Sequence, residues 1–196
     1  MLKLTDLYFA YTPEHPILSF ANLSLADGKL LAVMGPSGCG KSTLLSLIAG
    51  LQKPTYGSLE NTFQRTATVF QEPRLFPWLT VRDNIRAVLP KDTDDCILQN
   101  ALDFVELGDV GDHYPSELSG GMKSRVALAR ALAYGGDLFL FDEPFSALNE
   151  DLRRPLAEKL RAHLKKAGAS AILITHQRSD AETFADRILE FSEINQ

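Results

Sequence analysis

The chain has 196 residues, enough for one well-buried core or a core with an appended subdomain, and too few for two ordinary domains. Hydrophobic residues make up 45% and charged residues 23%, an ordinary globular balance that argues against a disordered or fibrous chain. Formal net charge is −5 with both signs interspersed, so no broad positive field is offered to a phosphate backbone, and nucleic-acid binding is disfavoured.

In chain order, "LKLTDLYFAY" alternates in polarity and "LLAVM" is a short apolar run ending at glycine. Both predict strands, with "ADGK" as a turn between them. "STLLSLIAGL" has helical spacing and closes at Gly50 before Pro54, a plausible stop. "ATVFQ" predicts another buried strand, and "EPRLFPWLTVRDNI", broken by Pro73 and Pro77, predicts an irregular segment. From about Val81 to Tyr134 the text is helical and holds no convincing strand. "DLFLFDEP" then predicts a strand ending in acids, Asn149 to Lys166 a helix, "SAILITH" a last strand and "SDAETFADRI" a short amphipathic helix. Alternating strands and helices imply an α/β fold with a mainly parallel sheet, here with a helical subdomain inserted.

No apolar run approaches the roughly 18 to 20 residues that span a bilayer. The opening "MLKLTDLYFAY" lacks the features of a secretory signal, which makes the cytosol the expected compartment. Cys39 and Cys96 have neither metal-ligand spacing nor a reason to pair, and read as reduced thiols.

"GPSGCGKST", residues 35 to 43, matches G-x-x-x-x-G-K-[ST] and lies after a strand and before a helix, where a phosphate cradle has to lie. Gly35, Pro36, Ser37, Gly38, Cys39, Gly40 and Thr43 supply the wrapping backbone and helix start. Lys41 reaches the β/γ oxygens of a nucleotide and Ser42 can ligate Mg²⁺. The alternative, a glycine-rich turn that happens to end in Lys-Ser, leaves the flanking elements unexplained. Asp142, ending an apolar strand, can hold Mg²⁺, and Glu143 can polarise an attacking water. Alone, that pair is also a solvated acidic turn. His176 stands at a strand end, where it serves as a γ-phosphate sensor or as a plain surface residue. Gln71 can contact Mg²⁺ or the lytic water, or be a polar strand terminus. Tyr11 can stack on adenine or belong to the core. "LSGGMKSRVALARAL" is a second candidate anion site, a serine and two glycines (Ser119, Gly120, Gly121) opening a helical run.

The ordered motifs "GPSGCGKST", "VFQEP", "LSGGM", "LFLFDEPFSALN" and "LITH" resemble the ATP-binding cassette (ABC) ATPases that power membrane transporters, over nearly the whole chain. The resemblance implies a P-loop NTPase of the ABC type, one domain over 1–196 with N-terminal antiparallel strands and a helical subdomain at roughly 76–134. It implies ATP and Mg²⁺ as ligands. It also implies a head-to-tail dimer in which Ser119, Gly120 and Gly121 act on the γ-phosphate of the partner's ATP, while Lys41, Ser42, Asp142, Glu143 and His176 act within the chain. Implied partners are a second ATPase subunit, two integral-membrane permease subunits and a solute-binding protein, which place the chain on the inner face of the cell membrane. "FQEPRLFPWLTVRDNI" looks most like the ATPases of nitrate, sulfonate and taurine importers. Leu75, Phe76, Trp78 and Leu79 there line a permease groove or form the subdomain's own core.

Departures from the pattern are Met122 for glutamine, Asn149 for an aspartate at the dimer-facing loop, and Gln177 for the aspartate that commonly follows the histidine. The hairpin region "GSLENTFQRTATVFQ" is compressed, and the few residues after the last helix leave no room for a regulatory C-terminal domain. Competing readings are a nucleotide-binding regulatory subunit with little turnover, a soluble cassette ATPase outside transport, and a small-molecule P-loop kinase. The kinase leaves "LSGGM" without a purpose.

Overall fold

Three uninterrupted apolar stretches become the centre of the molecule. In the computed structural model, which describes residues 1–195, the elements in chain order are β1 (Leu2–Thr12), β2 (His15–Leu25), β3 (Leu30–Met34), α1 (Lys41–Ile48), β4 (Tyr56–Asn61), β5 (Thr66–Val69), α2 (Val81–Arg86), α3 (Asp95–Phe104), α4 (Gly120–Tyr134), β6 (Leu138–Asp142), α5 (Glu150–Ala167), β7 (Ser170–Ile174), α6 (Arg178–Phe184), β8 (Arg187–Glu190) and α7 (Phe191–Ile194). Strands β2-β1-β4 form an antiparallel sheet, and β5-β6-β7-β3-β8 form a sheet whose ladders are all parallel.

Every residue of β3, β6 and β7 is buried. The two-residue period of a strand divides them between two cores. Leu138 and Leu140 of β6, with Ile172 and Ile174 of β7 and Leu31 and Val33 of β3, face α1 and the antiparallel sheet. Phe139 and Phe141, with Ala171 and Leu173, face Leu156, Leu160 and Leu164 of α5 and Val126 of α4. A strand covered on both faces has no polar side, which is why these three read as continuous apolar runs.

The segment between β5 and β6 is helical and shares the second core through Val81, Ile85, Leu98 and Leu102. Helices α2, α3 and α4 are N-capped by the side chains of Thr80, Asp94 and Ser119. Buried Asn84 staples the preceding loop: its amide donates to the carbonyls of Phe76, Leu79 and Thr80 at 2.9–3.1 Å and its oxygen accepts from Phe76 N–H at 2.7 Å. That loop turns Phe76 and Trp78 outward, their ring centroids 5.6 Å apart, while Leu75 packs on the core.

The structure corrects several expected boundaries. The helix expected over Ser179–Ile188 stops at Phe184, and Arg187–Glu190 pairs in parallel with β3 instead. Asp186 makes the switch, because its N–H donates to Leu30 O at 2.8 Å and its carboxylate accepts from Leu30 N–H at 3.0 Å. The expected N-terminal antiparallel strands are β1 and β2, joined at β1 by β4 from the compressed hairpin region, although the polarity pattern alone marks only β1. Strand β5 ends at Val69 and β7 at Ile174, so Gln71 and His176 each stand two residues beyond a strand rather than on it.

Phe141 is fully buried between Phe139 and Phe184, each 5.8 Å away between ring centroids. Phe141→Ala is expected to cost about 3–5 kcal/mol in urea unfolding. A loss below about 1 kcal/mol would contradict the two-core packing.

Candidate functional site

Parallel register sets the carboxyl ends of β6, β7 and β3 side by side, since Asp142 pairs with Ile174 and Val33 also pairs with Ile174. In an open parallel sheet that edge is where a ligand finds unpaired backbone and polar side chains. The Gly35–Thr43 loop leaves β3 there, Asp142 and Glu143 end β6, and Thr175 and His176 follow β7.

Helix α1 starts without a side-chain cap, its N-cap residue Gly40 lying at φ 113°. A Cβ on Gly40 would come within 2.6 Å of Ile17 Cγ2, so conformation and space both require glycine. The first N–H groups of α1 are thereby left pointing out of the helix end, where an anion is favoured. Lys41 is buried, its ammonium donating to the carbonyls of Gly35 at 2.8 Å and Pro36 at 2.7 Å. Cys39 Sγ lies 3.7 Å from that ammonium, and Cys39 and Cys96 are both free thiols.

A cavity of about 350 Å³ is bounded by Tyr11, Ser37, Lys41, Ser42, Thr43, Gln71, Asp142 and Glu143 among others. A second, of about 290 Å³, shares Ser42, Gln71 and Asp142 with it. Tyr11 is exposed, not core; its hydroxyl lies 3.3 Å from Thr43 Oγ1 and its ring stands edge-on to Phe9 at 4.9 Å. The exposed ring thus stands at the mouth of the loop.

Asp142 is buried, and burial pushes its carboxyl above the usual range. A hydrogen bond from Ser42 and the Lys41 charge oppose the rise, while the Glu143 charge adds to it. Glu143 adopts φ 48°, a left-handed conformation unusual for a side chain of this size. It is held by its N–H donating to Ile174 O at 3.0 Å and by Ser146, whose hydroxyl donates to Glu143 O at 2.9 Å. The bend places Glu143 Oε1 3.1 Å from Nδ1 of half-exposed His176.

Oxygen donors from Ser42, Gln71 and Asp142 around both cavities suit a hard divalent cation, which binds through a hydroxyl, one carboxylate and retained waters rather than a cage of acids. No cluster of three or more His, Cys, Asp or Glu able to hold a metal occurs among the described residues. Ser119 and Gly120 are exposed at the start of α4, and neither they nor Gly121 line either cavity. Gly121 meets the loop after β6 instead: a Cβ there would lie 2.8 Å from Ala147 O. Sequence reasoning passed over Arg153 and Asp180, which tie the Glu143 and His176 segments together; the signal for Arg153 was its place one helical turn after Asn149.

The ABC transporter family model matches residues 18–146, more than half of the chain. The chain is 41% identical over 190 residues to a bicarbonate transport ATP-binding protein of Synechococcus elongatus, covering 90% of this chain and 29% of that protein. It is 41% identical over 175 residues to an aliphatic sulfonates import ATP-binding protein of Pseudomonas syringae pv. tomato, covering 89% of this chain and 75% of that one. A dimeric bacterial ABC transporter cassette matches at TM-score 0.89 and 28% identity, over 97% of this chain and 94% of that one. A dimeric post-hydrolysis cassette bound to ADP and Pi matches at TM-score 0.88 and 28% identity, over 97% and 94% of the two chains. Among the described residues, no helix is long and apolar enough to cross a membrane.

A carboxyl whose folded pKa is raised makes the native state less favourable once pH exceeds the unfolded value, here 3.8. Asp142→Asn is therefore expected to raise the thermal midpoint of ligand-free protein at pH 7. The gain should fade below pH 3.8, where the carboxyl is protonated folded and unfolded alike. No gain at pH 7 would contradict the reading of Asp142 as a buried, under-compensated charge.

Proposed function

The chain belongs to the ABC transporter family, and we propose that it is the ATP-hydrolysing subunit of an importer, working as a dimer beneath two membrane-spanning permease subunits. The observation that carries this is the meeting of Lys41, Ser42, Asp142 and Glu143 around one cavity at the carboxyl edge of the sheet. We read residues 1–196 as one ATPase domain with 76–134 as its helical subdomain. A solute-binding protein completes the assembly, and attachment to the permease keeps the subunit on the inner membrane face. The relatives' names suggest a small oxyanion as the transported solute.

In this reading the backbone of Gly35, Pro36, Ser37, Gly38, Cys39, Gly40 and Thr43 and the uncapped start of α1 bind the ATP phosphates, and Tyr11 stacks on the adenine. Lys41 releases its two loop carbonyls to take the β/γ oxygens. Ser42, Gln71 and Asp142 would hold Mg²⁺, which would supply positive charge to offset that of the phosphates. Burial of Asp142 supports this, because a carboxyl that lacks compensation gains most from a cation. Glu143 Oε2 is left to accept a proton from the attacking water, since Oε1 already faces His176 Nδ1. That same contact fixes the orientation of the imidazole beside the γ-phosphate. Gln71 reports nucleotide state to the loop carrying Phe76 and Trp78, the exposed aromatic pair proposed to meet the permease. Ser119, Gly120 and Gly121 serve the partner's ATP across the dimer.

Purified protein is expected to hydrolyse ATP only with Mg²⁺, at a rate rising faster than linearly with protein concentration. Glu143→Gln should lower kcat by about 10²–10³-fold, with ATP affinity within about threefold of wild type. ATP binding without turnover under any condition, or turnover that survives Glu143→Gln, would overturn the assignment.

A further inference from the structure

The Glu143–His176 contact joins two segments that leave different strands, so something has to keep them in register. Arg153 spans them. It sits in the first turn of α5, four residues after the N-cap Asn149. Its Nη2 donates to Leu148 O at 2.7 Å, in the loop that follows Glu143, and its Nη1 donates to Gln177 Oε1, next to His176. The loop is tied to Glu143 at its other end, where Ser146 N–H and Oγ donate to Glu143 O at 3.2 and 2.9 Å.

On the histidine side, Thr175 and Asp180 complete the clamp. Thr175 Oγ1 accepts from Gln177 N–H at 3.0 Å and lies 3.5 Å from Asp180 Oδ2. Asp180 is 5% exposed, and burial pushes its carboxyl up against the opposing charge of Arg153. Arg153 Nε is buried with no acceptor, so the guanidinium sits where its two forked contacts put it rather than where every N–H would be satisfied. One side of the clamp opens on a cavity of about 560 Å³ between α5 and α6, lined by Arg153, Asp180 and Glu150 among others.

We propose that Arg153 is a positioning residue for ATP hydrolysis: its fork between Leu148 O and the Gln177 side chain holds His176 in register with Glu143. The same loop meets the start of α4 at Ala147, so a displacement of that loop moves His176 with it. Asn149 and Gln177 are both neutral here, which makes Asp180 the carboxylate that compensates the Arg153 charge. The hydrolytic role rests on the ATPase reading; the clamp itself rests on the contacts.

Two readouts separate these. In hydrogen exchange on the full chain, Arg153→Ala is expected to speed exchange of the amides of residues 175–178 at least tenfold, with those of β6 unchanged. This is independent of turnover. In steady-state ATP hydrolysis, Arg153→Ala should lower kcat about tenfold or more and leave KM within twofold. Gln177→Ala should lower kcat less, and the double variant should be no slower than Arg153→Ala alone. Unchanged local exchange, a KM that rises in step with the fall in kcat, losses that multiply in the double variant, or exchange that rises throughout the sheet would each overturn the proposal. The exchange effect in Arg153→Ala, together with wild-type protein that hydrolyses no ATP, would sink the ATPase reading, and the hydrolytic role with it, while leaving the clamp.

Discussion

Strands β3, β6 and β7 have no face turned to water, and the chemistry of the molecule follows from that constraint. A strand buried on both sides can carry a charge only where it ends, so polar groups collect at the carboxyl edge. There the Gly35–Thr43 loop, Asp142 and Glu143, and Thr175 and His176 emerge from adjacent ladders. The same burial that positions Asp142 denies its carboxylate solvation, which makes it a natural cation ligand. Rigidity is inherited from the two cores, and the strained backbone of Glu143 is affordable because Ile174 O and Ser146 hold it from both sides.

One feature of the chain looks unfinished in isolation. The N-terminus of α4 presents Ser119 and Gly120 to solvent, outside both cavities of the nucleotide site. Ser119 spends its oxygen on the Met122 N–H at 3.3 Å, a long bond that leaves the hydroxyl proton free to donate. Under the dimer reading this end of α4 faces a second copy's ATP, which accounts for two anion-binding helix starts in one small chain. The close contact of Gly121 with Ala147 O then connects the second half-site to the loop that Arg153 clamps.

Legibility followed burial. β3, β6 and β7 stood out because both of their faces are apolar, and the glycine loop because its spacing is dictated by phosphate geometry. β4 shows no apolar pattern, its residues "YGSLEN" being nearly all exposed. In β2 the register against β1 shifts repeatedly and Phe20 sits at φ 51°, which breaks the two-residue alternation. β8 is four residues long and follows a helical pattern without a glycine or proline between them; only its pairing with β3 reveals it. At the site, Lys41, Ser42, Asp142 and Glu143 were readable because motif and strand end coincide. The alternatives left open for Tyr11, Phe76 and Trp78 turned on exposure, which a lone aromatic does not disclose in sequence. Arg153 and Asp180 were not readable, since what joins them is the folding of α5 and α6 against one loop.

The central claim is that two chains share each ATP site, and subunit mixing tests it most directly. Ser119→Arg blocks the half-site a chain lends to its partner, and Glu143→Gln disables the half-site it keeps. Each alone should be inactive, and an equimolar mixture should recover about a quarter of wild-type turnover, because half of the dimers then hold one intact site. A mixture as inactive as its components, with dimers demonstrably exchanged, would contradict the shared site and place all catalytic groups within a single chain or in a different partner.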